Sequence, residues 1–173
     1  MAQEDLIVGV VVERRTLDNP WIDHTWLPSA ILPGAPAVGT WTALSDQDGV
    51  RQVYAGAHTI SFFSIDTANY RDNLHSGSPK IWVSLRRMDG EPPVSVIGVT
   101  ADPAEGEAFT EAGDDIVEAL AMPAQIAERL AEFIQTHHVE RAFYKRRRDE
   151  ADPEALAARP VRPVCRTGDG DHE

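Results

Sequence analysis

The chain has a single cysteine, Cys165, in 173 residues. That excludes an internal disulfide, a cysteine-based zinc site and an iron–sulfur cluster, and it suits a reducing compartment. Positive charge is also scarce. Sixteen lysines and arginines stand against 28 aspartates and glutamates, for a formal net charge of −12, which argues against general affinity for nucleic acid or an anionic membrane surface. The apolar run at residues 6–12 is far shorter than the ~20 residues of a membrane span. The first residues, Met1-Ala2-Gln3-Glu4-Asp5, are acidic where a secretory signal is basic. A cytoplasmic protein with no membrane insertion is expected.

Catalytic templates are missing as well. No serine sits in a GxSxG elbow, and Cys165 falls in a polar C-terminal stretch. No glycine-rich phosphate loop follows the first strand, because Gly9 lies inside it. Asp23 and His24, with His58, His75, His137 or His138, are acceptable metal-ligand types, but their spacing matches no HExxH or EF-hand pattern. Asp114 and Asp115 read as a hydrated acidic loop rather than an acid/base pair. Neither a metal nor a cofactor is expected.

What is present is β-rich. Residues 6–12, Leu-Ile-Val-Gly-Val-Val-Val, are dense in β-branched side chains and read as a central strand covered on both faces. Further strands are expected at 26–32, before the turn Pro33-Gly34-Ala35-Pro36, at 38–44, and at 50–55 after the hairpin signal Asp48-Gly49. Residues 58–65 follow Gly56 as another strand. Residues 80–87 alternate, which puts Ile81, Val83 and Leu85 on a core face, and strands at 94–100 and 115–122 complete the set. Residues 68–76 read as one helical turn or a loop, and 102–114 as an acidic loop. The period changes after Pro123, where Ile126, Leu130, Phe133 and Ile134 recur on one face of a helix near 123–137. Residues 149–173 lack apolar periodicity and read as a disordered tail. The expected fold class is α+β, mainly β: a small barrel or a sandwich of about six to eight strands in a single domain over 1–148, with one C-terminal amphipathic helix.

One stretch mixes charge with large aromatics: Arg14-Arg15-Thr16-Leu17-Asp18-Asn19-Pro20-Trp21-Ile22-Asp23-His24-Thr25-Trp26. Asp18-Asn19-Pro20 favours a turn, so the residues from Trp21 return as the hairpin partner of the first strand. Alternation then puts Ile22, His24 and Trp26 on one face and Trp21, Asp23 and Thr25 on the other. Trp26 is expected in the core and Trp21 outside, where an aromatic flanked by arginines suits an interface. The candidate binding residues are Arg14, Arg15, Asn19, Trp21, His24 and Arg86, with Lys145 and Arg146 from the basic run at 145–148. That run reads as a solvated helix end or as a docking tail for an acidic partner.

The pieces Val11-Val12-Glu13-Arg14-Arg15, Asp18-Asn19-Pro20-Trp21, Trp26 and Ile31-Leu32-Pro33-Gly34-Ala35 resemble the start of an uncharacterised bacterial domain-of-unknown-function family. Ser78-Pro79-Lys80-Ile81-Trp82-Val83, Met122-Pro123, His137-His138 and Phe143-Tyr144-Lys145-Arg146 resemble its later landmarks. That family is typically encoded beside formate dehydrogenase genes, and some members carry the label molybdopterin-guanine dinucleotide biosynthesis protein. A guanylyltransferase needs a glycine-rich nucleotide loop and alternating α/β units, and the chain has neither. The resemblance therefore implies a non-catalytic accessory or maturation factor that binds a molybdenum or tungsten formate dehydrogenase subunit or its maturation proteins. A β-barrel binding a small pterin-type ligand is the alternative, with Trp21 or Trp26 stacking and Arg14 or Arg15 holding an anionic group. A third possibility is an enzyme whose site is assembled from distant loops.

Overall fold

A computed structural model describes residues 1–111 and 113–139. Lys145, Arg146 and the tail at 149–173 lie outside the described residues. The elements run β1 (Gln3–Thr16), β2 (His24–Pro33), β3 (Thr42–Gln47), β4 (Val50–Phe63), α1 (Thr67–His75), β5 (Lys80–Arg87), β6 (Val94–Thr100), α2 (Pro103–Glu111), β7 (Ile116–Ala121) and α3 (Ala124–His137). Seven strands form two antiparallel sheets, of order β2-β1-β4-β3 and β6-β5-β7. The mainly β expectation holds, and two separate sheets match its sandwich form; no strand pairing closes them into a barrel among the described residues.

α2 stands where a loop was expected, and α1 is a full helix where one helical turn or a loop was expected. The signal for α2 is Asp102-Pro103-Ala104-Glu105: the Asp102 carboxylate accepts the Ala104 N–H at 2.8 Å, and proline occupies the first helical position. α1 lacks an amphipathic stripe and is held by specific bonds instead. Buried Asn73 donates to the carbonyls of Lys80 and Ala101, at 2.8 and 2.9 Å, and its Oδ1 accepts the Lys80 N–H at 2.9 Å. One side chain thereby ties α1 to the start of β5 and the end of β6.

The strand expected at 38–44 begins at Thr42, and Val38 is exposed. The two strands expected at 50–55 and 58–65 are one strand, β4, bent where Ala55 is left unpaired between Tyr54↔Val11 and Gly56↔Val10. Gly56 has φ +123°, a conformation that favours glycine. This bulge keeps Val53, Ile60 and Phe62 on one side of the sheet, where they join Val8, Val10 and Val12 in the core. Ile81, Val83 and Leu85 supply the facing sheet, and Ile126, Leu130 and Phe133 supply α3. Burying these three α3 side chains contributes roughly 5–9 kcal/mol gross. Tyr70 of α1 lies against Phe62 with ring centroids 5.8 Å apart, and burial pushes its phenol up to about 12. α2 covers the outer side of the smaller sheet, and a side chain at Gly106 would collide with the Trp82 ring, its Cβ 2.3 Å away.

The Asn73 bonds generate a stability prediction. Asn73→Ala leaves three backbone groups unpaired and should lower stability by about 3 kcal/mol in urea denaturation. Asn73→Asp, whose carboxylate would face the two carbonyl oxygens without a donor, should cost at least as much.

Candidate functional site

The described arginines are unevenly placed. Five of seven, Arg14, Arg15, Arg51, Arg86 and Arg87, stand at one end of the sandwich, around the β1–β2 loop and the β5–β6 hairpin. The loop closes with the Leu17 N–H donating to the Asp23 carbonyl at 2.9 Å. Within it the Asn19 Oδ1 accepts the Trp21 N–H at 2.9 Å, so Asn19 shapes the turn rather than waiting for a ligand. The turn presents Trp21 outward with 89% of its surface exposed, beside exposed Ile22 and Leu17.

Trp21, Ile22 and Asp23 precede β2, which starts at His24, so strand alternation does not govern them. Trp26 packs against the core, as expected, but for a different reason. Ser29 is bulged out of register, with Val11↔Ala30 and Val12↔Pro28 on either side, and its Oγ donates to the Val11 carbonyl at 3.3 Å. A one-residue bulge reverses which side chains face inward. It puts Trp26 opposite Arg14 on the inner side of the sheet.

Two hollows flank Trp26. One, of about 480 Å³, lies under the loop and is walled by Leu17, Ile22, Trp26, Met88, Val94 and Ile116, with His24 and Arg87 adding polarity. The other, of about 240 Å³, is lined by Arg14, Arg51, Trp26 and Trp41 together with Glu91 and Pro92 of the β5–β6 hairpin. The two tryptophans meet edge to face, with centroids 6.3 Å apart at 84°.

The remaining expected residues are engaged within the chain. Arg15 pairs with Glu13 at 2.5 Å. Arg86 grips Asp115 through two bonds, Nε to Oδ1 at 2.9 Å and Nη2 to Oδ2 at 2.8 Å. Asp115 is therefore not part of a freely hydrated acidic loop: its side chain keeps 6% of its exposure, and the bonds from Arg86 hold its carboxyl below the usual aspartate range. Sequence reasoning missed Arg51, Trp41, Arg87 and Met88. Arg51 was legible only through the β1–β4 register that sets it opposite Arg14. Among the described residues no group of three or more His, Cys, Asp or Glu is placed to hold a metal. Of the histidines weighed as ligands, His138 instead meets Thr67 at 3.0 Å and Arg71 at 3.1 Å, and His137 lies against Phe133.

A family model described as a protein of unknown function, DUF3305, matches residues 7–147. The chain belongs to that family. No curated protein and no solved structure matches it. The matched segment includes both tryptophan-lined hollows and the exposed loop. Among the described residues, no helix is long and apolar enough to cross a membrane.

Two tests follow from this geometry. Trp21→Ala should change stability by less than about 0.5 kcal/mol, since the ring touches little. Trp26→Ala should lower it by about 3 kcal/mol, the low end for a tryptophan because the ring is only partly buried; guanidinium denaturation of both variants separates the two. The second test concerns pH. Because the folded Asp115 carboxyl titrates below its ordinary 3.8, its contribution is complete above that value and is lost as pH falls through the folded pKa. Arg86→Gln should therefore be less stable than wild type near neutrality, and the gap should close as the solution is acidified below about pH 4.

Proposed function

We propose that the chain is a non-catalytic accessory or maturation factor, binding a molybdenum or tungsten formate dehydrogenase subunit or one of that enzyme's maturation proteins. The observation that carries the binding part of this reading is Trp21. An 89% exposed tryptophan, fixed by an Asx turn and flanked by exposed Leu17 and Ile22 at the rim of an apolar cleft, has the composition and placement of an interface anchor. The dehydrogenase part rests on the family resemblance, whose typical gene context is formate dehydrogenase. The net charge of −12 supports a protein partner over nucleic acid.

A second reading is a small-ligand site. It draws support from the 480 Å³ cleft, which falls in the ordinary range for small-molecule sites of about 300–1,000 Å³. A pterin nucleotide entering there would stand against Trp26 and change its fluorescence.

Tagged protein expressed with the dehydrogenase should co-purify a dehydrogenase subunit or maturation protein. Trp21→Ala, which leaves the fold intact, should weaken that association about thirtyfold. An interactome without either class of protein overturns the proposal. Capture unchanged by Trp21→Ala removes the loop from it. Saturable quenching by molybdopterin nucleotide, with no protein captured, favours the second reading.

A further inference from the structure

We infer that the smaller hollow is a carboxylate-binding subsite, with Arg14 and Arg51 as its cationic floor and Trp26 and Trp41 as its walls, and that its occupant is an acidic segment of the protein partner. The inference rests on the protein-binding reading above and adds the chemistry of what is bound.

Arg14 and Arg51 are direct partners across β1 and β4. Side chains at such positions have Cβ atoms about 4.5–5.5 Å apart, and like charges there repel. Two of the other three arginines at this end of the sandwich are relieved by the chain's own carboxylates, Arg15 by Glu13 and Arg86 by Asp115. Arg14 has no hydrogen-bond or ion-pair partner among the described residues. Arg51 has Asp46 alone, with Oδ2 3.9 Å from Nε, beyond hydrogen-bond reach, and that Nε is shut off from water with no partner. Two opposed cations repel one another. An incoming oxyanion between the two guanidiniums relieves that repulsion, and guanidinium pairs are the usual means of gripping one.

Size and charge then choose the anion. At about 240 Å³ the hollow is smaller than sites that enclose a whole drug-sized ligand, so it takes a group and not a dinucleotide. Glu91 lines the same hollow and offsets one of the two guanidiniums, while Asp46, 66% exposed and 3.9 Å from the Arg51 Nε, stays largely with water, so the site leaves room for about one further negative charge. A carboxylate matches that; a phosphoryl dianion would face Glu91. The walls supply the rest of the recognition. Trp41 holds φ +65°, a conformation that a bulky residue adopts only when its surroundings enforce it, and its N–H donates to the Tyr54 carbonyl at 2.6 Å. Because Trp26 also walls the larger apolar cleft, the matching segment carries an acidic residue next to apolar ones.

The test uses the full ¹⁵N-labelled chain, whose four tryptophans give four indole N–H signals. Hexaglutamate peptide is titrated in one arm and inorganic pyrophosphate in another. The expected result is saturable movement of the Trp26 and Trp41 signals with hexaglutamate while Trp82, packed under α2, stays still. Arg14→Gln and Arg51→Gln should each weaken that response about tenfold, and Arg129→Gln on α3 should leave it unchanged. The thermal midpoint of ligand-free Arg14→Gln should equal or exceed that of wild type, because a like-charge pair is removed; this keeps lost binding distinct from lost folding. The inference is overturned by silence at Trp26 and Trp41, by undiminished binding in both arginine variants, or by saturation with pyrophosphate while the peptide stays silent. This outcome is separable from the fate of the dehydrogenase proposal: a negative pull-down leaves a positive titration standing, and a positive pull-down with a negative titration overturns this inference alone.

Discussion

Everything at the functional end depends on how β1 is paired. It is an inner strand of the larger sheet, hydrogen-bonded to β2 and to β4, and the irregularities in those two ladders fall at adjacent steps along it. On β1 itself the alternation runs unbroken from Val8 through Val10 and Val12 to Arg14. On the two neighbours one residue is spilled from each ladder, Ser29 on β2 and Ala55 on β4. Those two spills bring Trp26 and Arg51 into phase with Arg14, so three functional side chains share the inner side of a sheet whose regular pattern would scatter them. The same strand that builds the core with valines thus ends by supplying an arginine, without changing its own geometry.

Electrostatics sharpens the picture. A protein of net charge −12 has no broad positive field, yet most of its described arginines gather at one end. Two of them are neutralised within the chain, and their partners are held almost out of water or nearly so, Asp115 at 6% and Glu13 at 12% side-chain exposure. The pairing is selective: Arg14 and Arg51 lie on the inward-facing side of β1 and β4, while Glu13 and Arg15 occupy the other face of β1. Repulsion from the remaining acidic surface discourages anions everywhere except where guanidiniums are left uncommitted, which gives the site selectivity as well as attraction.

The sequence revealed the strands that carry β-branched residues and the helix that carries a clean apolar stripe, because both periodicities act over many residues and survive tertiary adjustment. It also revealed the turn at Asp18-Asn19-Pro20 and the exposure of Trp21. It did not reveal α1, whose stability comes from Asn73 reaching two distant carbonyls, an arrangement that no local pattern encodes. α2 was legible in principle, since Asp102-Pro103 is a helix start, but the acidic composition beyond it suggested a loop. The facing of Trp26 was inferred from a face shared with Ile22, which lies before β2 begins, whereas the bulge at Ser29 sets it, and a bulge has no dependable sequence mark when the extra residue is a serine. Arg51 and Trp41 became visible only with strand register, because their significance lies in their neighbours and not in themselves.

Trp26 is a party wall. One ring borders both the apolar cleft beneath the loop and the arginine-floored hollow beside Trp41. The ring packs against the core and meets Trp41 edge to face, so a guest that presses on it from one chamber acts on the wall of the other. Any coupling between the chambers runs through this single side chain and is reciprocal. A segment long enough to reach both should bind more tightly than its two halves taken separately suggest, with the second contact made at the high effective concentration of a tethered neighbour.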